Sequence, residues 1–252
     1  RYDIKNALNI EAGNTLEFTG GAGFRLGEQA SDCANTSGSL NATGTMGNPI
    51  TFKGVVSGKG SWLGIGFNSS SPNNKLIYCN VSGGGSSKLY NGAQFAANIT
   101  LQCNSRVTIQ NSTITESGEF GIYVLDEDAQ LEDFQENEIM DNELAPIWMH
   151  LPQVDQLDAA TSYAEGNGRP YIQVVGDAVT EADLTIKKLE VAYRIETEAS
   201  GRETYVERAI TIEPGTTLEF ETGAGLVLGS PGVDCIPTTG SLNAQGTVEE
   251  PI

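Results

Sequence analysis

Short runs of alternating apolar and polar residues fill most of the chain: ITF at Ile50, LGIGF at Leu63, LIYC at Leu76, NITL at Asn98, VTIQ at Val107 and STIT at Ser112. A period of two places one face of an extended segment inward and the other outward. The runs are too short for a coiled coil and too regular for disorder. Gly, Asn, Ser and Asp separate them, so the pattern predicts many short strands joined by turns, with long helices absent.

The runs recur at a fixed interval. GIYV (Gly121 to Val124), PIWM (Pro146 to Met149) and YIQV (Tyr171 to Val174) begin about 25 residues apart, which predicts that Ile122, Ile147 and Ile172 stack in one column. A period in the twenties with two or three strands per period is the pattern of a solenoid, in which each coil buries its apolar face on its neighbours. An all-β sandwich is the structural alternative.

A second, longer repeat contains the first. ALNIEAGNTLEFTGGAGFRLG from Ala7 returns as AITIEPGTTLEFETGAGLVLG from Ala209, 202 residues later, and the match runs without a gap from residues 7–50 onto 209–252 with a little over half the positions identical. Residues 1–208 therefore read as one full large unit and 209–252 as the start of another. The chain is expected to be a window cut from a longer array.

ITIEPGTTLEF, GSLNAQGT, GSWLGIGF and NSTITESGEFGIYV together resemble the right-handed parallel β-helix repeat proteins secreted by bacteria. The resemblance implies an all-β, right-handed parallel β-helix with coils of about 22–25 residues. Its functional range is wide, spanning polysaccharide lyases, adhesins and autotransporter stalks, so function has to come from the residues.

Composition narrows the field. A net charge of −19 and a pI near 4.2 would repel a phosphate backbone, which argues against nucleic-acid binding. No apolar run is long enough to span a bilayer. The chain opens on Arg1 with neither Met nor a signal segment, which reads as a mature or excised piece.

Four cysteines, at 33, 79, 103 and 235, suit an exported protein that oxidises some of them. Cys79 and Cys103 lie 24 residues apart, about one coil, and stacked strand positions fall within disulfide reach, so a Cys79–Cys103 bridge is expected. Both remaining as buried free thiols is the other reading. Cys33 and Cys235 are equivalent copies, too far apart along one solenoid to join each other.

Between Arg106 and His150 there is no Lys or Arg, while acids are dense. At a 25-residue coil, Glu116 would lie beneath Asp141 and Asp133 beneath Asp158. Carboxylates so stacked repel unless a cation intervenes or one is protonated. Calcium, which takes six to eight oxygens in flexible geometry, would suit Glu116, Asp126, Asp128, Asp133, Asp141 and Asp158. No EF-hand loop or calcium-binding nonapeptide supports a specific site. A solvated acidic face is the plainer reading.

Catalytic signals are weak. Carboxylates a coil apart meet glycosidase spacing, yet any adjacent coils would. The acidic tract lacks the Arg or Lys base of a lyase, no GxSxG occurs, and His150 stands alone. Trp62 and Trp148 would stack on sugars or, more simply, pack. The Asn-x-Ser/Thr triplets at Asn35, Asn41, Asn68, Asn80, Asn98 and Asn111 read as composition. The expectation is a noncatalytic extracellular module of a bacterial surface fibre, filament or adhesin stalk, whose partners are adjacent copies of the unit or further chains. A carbohydrate-binding or lyase-like β-helix with glycan partners is the alternative.

Overall fold

In a computed structural model, residues 1–27, 37–197, 204–229 and 239–252 are described. The chain visits three sheets in turn and then returns to the first one level higher. The first sheet has nine strands: Tyr2–Ile4, Gly23–Leu26, Gly64–Phe67, Ala97–Leu101, Phe120–Val124, Ile147–His150, Tyr171–Val175, Ala192–Glu196 and Leu218–Phe220. The second stacks Ala7–Ile10, Ser39–Thr43, Lys75–Ile77, Arg106–Gln110 and Gln130–Gln135, and the third Thr15–Phe18, Ile50–Gly54, Cys79–Ser82, Thr113–Thr115 and Glu138–Met140. Every strand pairing is parallel, and the protein is a parallel β-helix.

Alternation in sequence becomes alternation in burial: Ile50, Phe52 and Gly54 point inward while Thr51 and Lys53 are half-exposed. Inward residues then stack. Ile99 lies on Ile122, Ile122 on Ile147 and Ile172 on Tyr193, and the pairing of Trp148 with Gln173 places Ile172 over Ile147. All are fully buried. The short coil length holds where Tyr2 pairs Phe24 and Ile99 pairs Ile122. The intervals from Phe24 to Ile65 and from Ile65 to Ile99 are longer.

One excursion, residues 83–96, explains why the first sheet is buried on both faces. It lays Leu89, Tyr90, Ala93 and Phe95 over the outer side of that sheet, against Phe120, Tyr123 and Trp148. Phe95 meets Phe120 edge-on at 5.0 Å, and Tyr123 meets Trp148 at 4.9 Å. A sheet covered twice carries unbroken apolar runs, as in FGIYV.

The corners carry their own stacks. Tyr78, Asn111 and Glu136 each follow a registered strand end and each has positive φ, at 50°, 50° and 54°. Gly83, Glu116 and Asp141 form a second left-handed column with φ of 74°, 58° and 56°. Inside these corners run polar ladders. Cys79 N–H donates to Ser112 Oγ, Ser112 N–H to Asn137 Oδ1 and Asn137 N–H to Thr161 Oγ1. In parallel, Ser117 N–H donates to Asn142 Oδ1 and Asn142 N–H to Asn167 Oδ1. Each buried side chain thus satisfies a backbone donor one coil below, where an unmade bond would be costly.

The second copy enters the stack differently from the first. Leu184–Ile186, Ala209–Ile212 and Ser241–Ala244 form a fourth sheet, and Thr204–Val206 with Leu226–Leu228 a fifth. The 3-10 turn Leu151–Gln156 packs between Gln130–Gln135 and Leu184–Ile186, bridging second and fourth sheets. Leu16 sits in the third sheet, but its copy Leu218 pairs with Tyr193 in the first. The three-sided section therefore rolls at the unit junction, and 202 residues do not amount to a whole number of turns.

Candidate functional site

The copied block occurs once inside the stack and once at its end, and its side chains report the difference. Phe18, Leu26 and Leu40 are 5%, 0% and 0% exposed, whereas their copies Phe220, Leu228 and Leu242 are 46%, 49% and 43% exposed. In the first copy Ile50–Gly54, Gly64–Phe67 and Lys75–Ile77 lie on Thr15–Phe18, Gly23–Leu26 and Ser39–Thr43. Among the described residues nothing lies on Leu218–Phe220, Leu226–Leu228 or Ser241–Ala244 from that side. Glu219 and Glu221 are exposed on either side of Phe220.

A cavity of about 690 Å³ lies between the 3-10 turn and residues 176–184, with Glu127, Asp128, Asp155, Asp177, Glu181 and Asp183 in its wall. Burial and the nearby Asp177 carboxylate raise the Glu127 pKa. Burial also raises Asp155, against the pull of Lys187. Beside this wall sits His150, whose Nδ1 faces Asp177 Oδ2 and whose Nε2 faces the Leu125 carbonyl at 3.0 Å. Two acceptors ask the ring for two protons, so the imidazolium fits the site and the neutral ring does not. Burial opposes that charge, but Asp177, the Leu125 carbonyl and Glu127 outweigh it and hold the pKa above the ordinary imidazole value.

The six residues expected to hold calcium are dispersed. Glu116 and Asp141 do stack, as corner residues with positive φ. Asp133 occupies a β-bulge opposite Thr108–Gln110 rather than a position beneath Asp158. The Asp158 carboxylate instead accepts from Glu136 N–H at 3.3 Å, Ala160 N–H at 3.1 Å and the Thr161 hydroxyl. Asp126 accepts from Cys103 N–H at 2.6 Å, and Asp128 alone of the six lines the acidic cavity. Among the described residues no three His, Cys, Asp or Glu side chains group as metal ligands. Much of the acidic tract serves the fold: Glu132 pairs with Arg106 at 3.0 Å and Glu143 with Lys59 at 3.1 Å.

The expected Cys79–Cys103 bridge is not formed. Cys79 is a free, buried thiol whose sulfur lies 3.4 Å from the Ala42 carbonyl oxygen, and burial pushes its pKa up to about 12. Cys79 belongs to the third sheet and pairs with Ile50, while Cys103 follows the first-sheet strand Ala97–Leu101. One coil of sequence separates them, but they lie on different sides of the section. Cys33 and Cys235 lie outside the described residues.

Both tryptophans pack. Trp62 is stacked on Phe18 at 4.3 Å with its Nε1 donating to the Ser82 carbonyl, and Trp148 donates to Glu196 Oε1 at 2.9 Å beneath Phe95. Asn68 and Asn98 are buried, which removes them as glycan acceptors in the folded chain. The Asn and Ser ladders keep the coil interval too, with Ser117, Asn142 and Asn167 one coil apart. Compared with protein-family models, curated proteins and solved structures, the chain matches none of them.

Proposed function

We propose that this chain is a noncatalytic structural module of an extracellular bacterial fibre, filament or adhesin stalk, extended by stacking coil upon coil at its end. One observation carries the reading: parallel strands stack coil upon coil through the described residues, and the block at 7–50 returns at 209–252 joined to the same stack. A solenoid turns sequence length into reach at about 4.8 Å per coil, which is what a stalk needs. A net charge of −19 makes copies repel one another side by side and discourages lateral clumping. The resemblance of the repeats to secreted parallel β-helix proteins supports the extracellular placement. The carbohydrate reading loses its aromatic platform, since Trp148 and Tyr123 lie under the 83–96 excursion.

Sedimentation velocity and negative-stain microscopy across the micromolar range test this. Rods that lengthen with concentration are expected, and Leu228→Lys with Leu242→Lys should suppress them. A chain that stays monomeric throughout, or one that releases unsaturated uronate from acidic polysaccharides, would overturn the proposal.

A further inference from the structure

Asn followed by Gly occurs twice in the chain, at Asn91-Gly92 and Asn167-Gly168, and the fold treats the two pairs oppositely. We infer that Asn91 is a site of spontaneous deamidation in the folded protein, through attack of the Gly92 amide nitrogen on its side chain, and that the corner ladder spares Asn167.

The reaction needs an unobstructed carboxamide, a backbone amide able to give up its proton, and freedom for the two to close a five-membered ring. Asn91 and Gly92 form a turn in the 83–96 excursion, and both are exposed. Gly92 has a φ of 86°, and apart from its chain neighbours no heavy atom lies within 4 Å of where a Cβ would stand. Glycine adopts that backbone at no steric cost, and its missing side chain leaves the nucleophilic nitrogen open. Among the described residues neither the Asn91 carboxamide nor the Gly92 amide has a hydrogen-bond partner.

Asn167 presents the same dipeptide with every participant held. Its Nδ2 donates to the Ile139 and Tyr163 carbonyls, each at 2.8 Å, and its Oδ1 accepts from the backbone and the side chain of Asn142. The Gly168 amide, which would be the nucleophile, donates to the Asn142 carbonyl at 3.0 Å. A Cβ on Gly168 would come within 2.1 Å of the Glu143 carbonyl oxygen, so the backbone there has no room to turn. Ring closure at Asn167 requires those bonds to break first, which is a local opening of the ladder.

At Asn91 the Gly92 nitrogen loses its proton to solvent base and bonds to Asn91 Cγ. The Cγ–Nδ2 bond breaks, and ammonia leaves with a proton from water. Water then opens the succinimide at either carbonyl, so that overall a water is consumed and an ammonia released. Opening at one carbonyl gives aspartate; opening at the other gives isoaspartate, whose main chain runs through Cβ and is longer by that carbon. The added carbon falls between Tyr90 and Ala93, both buried against the outer side of the first sheet, and the new carboxylate lies on the cover of the aromatic cluster.

The test ages the intact chain in heavy-oxygen water in mildly alkaline buffer, with and without urea. Peptide mass spectrometry with fragmentation locates the heavy oxygen, which enters only the asparagine that converts. In the native chain Asn91 should convert about tenfold or more faster than Asn167, because only Asn167 must wait for local opening. In urea the same dipeptide sits twice in an open chain, and the two rates should agree within about threefold. Gly92→Ala should slow Asn91 severalfold and leave Asn167 unchanged, since the added methyl crowds the attacking nitrogen. Hydrogen exchange at Phe120–Val124 confirms that the native samples are folded. Comparable native rates at the two asparagines, with those amides protected, overturn the inference, as does an Asn91 that converts only in urea. An Asn91 rate indifferent to Gly92→Ala overturns the attack by the Gly92 nitrogen.

Discussion

Leu26 and Leu228 occupy the same place in two copies of one sentence, so substituting each by alanine separates the contribution of local sequence from that of the stack. Leu26 pairs with Phe67 above and Ile4 below and is fully buried, whereas Leu228 pairs with Val206 below and has an open side above. Deleting a fully enclosed leucine loses its transfer energy and leaves a void, so Leu26→Ala should cost about 2–5 kcal/mol. Leu228 is 49% exposed; with roughly half of a 1.5–3 kcal/mol burial term at stake and no closed cavity, Leu228→Ala should cost about 1 kcal/mol. Because repeat arrays need not unfold in one step, denaturant melts should be paired with native-state hydrogen exchange at Gly23–Leu26 and Leu226–Leu228. Equal costs at the two positions would refute the argument that the following coil, rather than the block itself, supplies the burial. In a chain lengthened by a copy of residues 51–78 after Ile252, which supplies the counterpart of Phe67, the cost of Leu228→Ala should rise toward that of Leu26→Ala.

His150 has its pKa raised in the fold, so its contribution is full below its unfolded value of about 6.5 and is lost as pH climbs through the folded value. Thermal melts from about pH 5 to 9 should decline on the alkaline side, and Asp177→Asn should flatten that decline. Asn142→Ala leaves the Ser117 amide without its acceptor and takes one of two donors from Asn167 Oδ1, and should cost about 1–3 kcal/mol by chemical denaturation, against little for the exposed Asn14→Ala. Cys79, a buried thiol with its pKa pushed up to about 12, should resist a thiol reagent at mildly alkaline pH in the native state and react on unfolding, as mass spectrometry of the labelled peptide would show. Prompt labelling of native Cys79 would contradict its burial.

Period was the most legible feature, because it depends on side chains that must meet. Ile122, Ile147 and Ile172 follow from spacing alone, since a stacked column tolerates only residues of one character at one interval. The Asn142 and Asn167 ladder obeys the same interval and was equally readable, but polar residues in a polar sequence give no contrast until burial is known. Interval does not give side. Cys79 and Cys103 are a coil apart in sequence, yet the long excursion of residues 83–96 intervenes, so counting returns the length of a coil without the face on which a residue lands. The carboxylates depart from the count for a related reason: Asp133 sits in a bulge, and Asp158 accepts from the Glu136 amide, 22 residues away, at a turn where the strand register does not apply.

The copied block shows where the information stops. Leu16 and Leu218 share their neighbours in sequence but lie in different sheets: Leu16 pairs with Phe52 of the coil after it, Leu218 with Tyr193 of the coil before it. Leu26 and Leu228 share their neighbours too, and one is buried while the other faces solvent. Local pattern decides that a segment is a strand and which side chains point inward. What lies above and below decides whether inward means core, and in a solenoid that is settled one coil at a time by the next piece of chain to arrive.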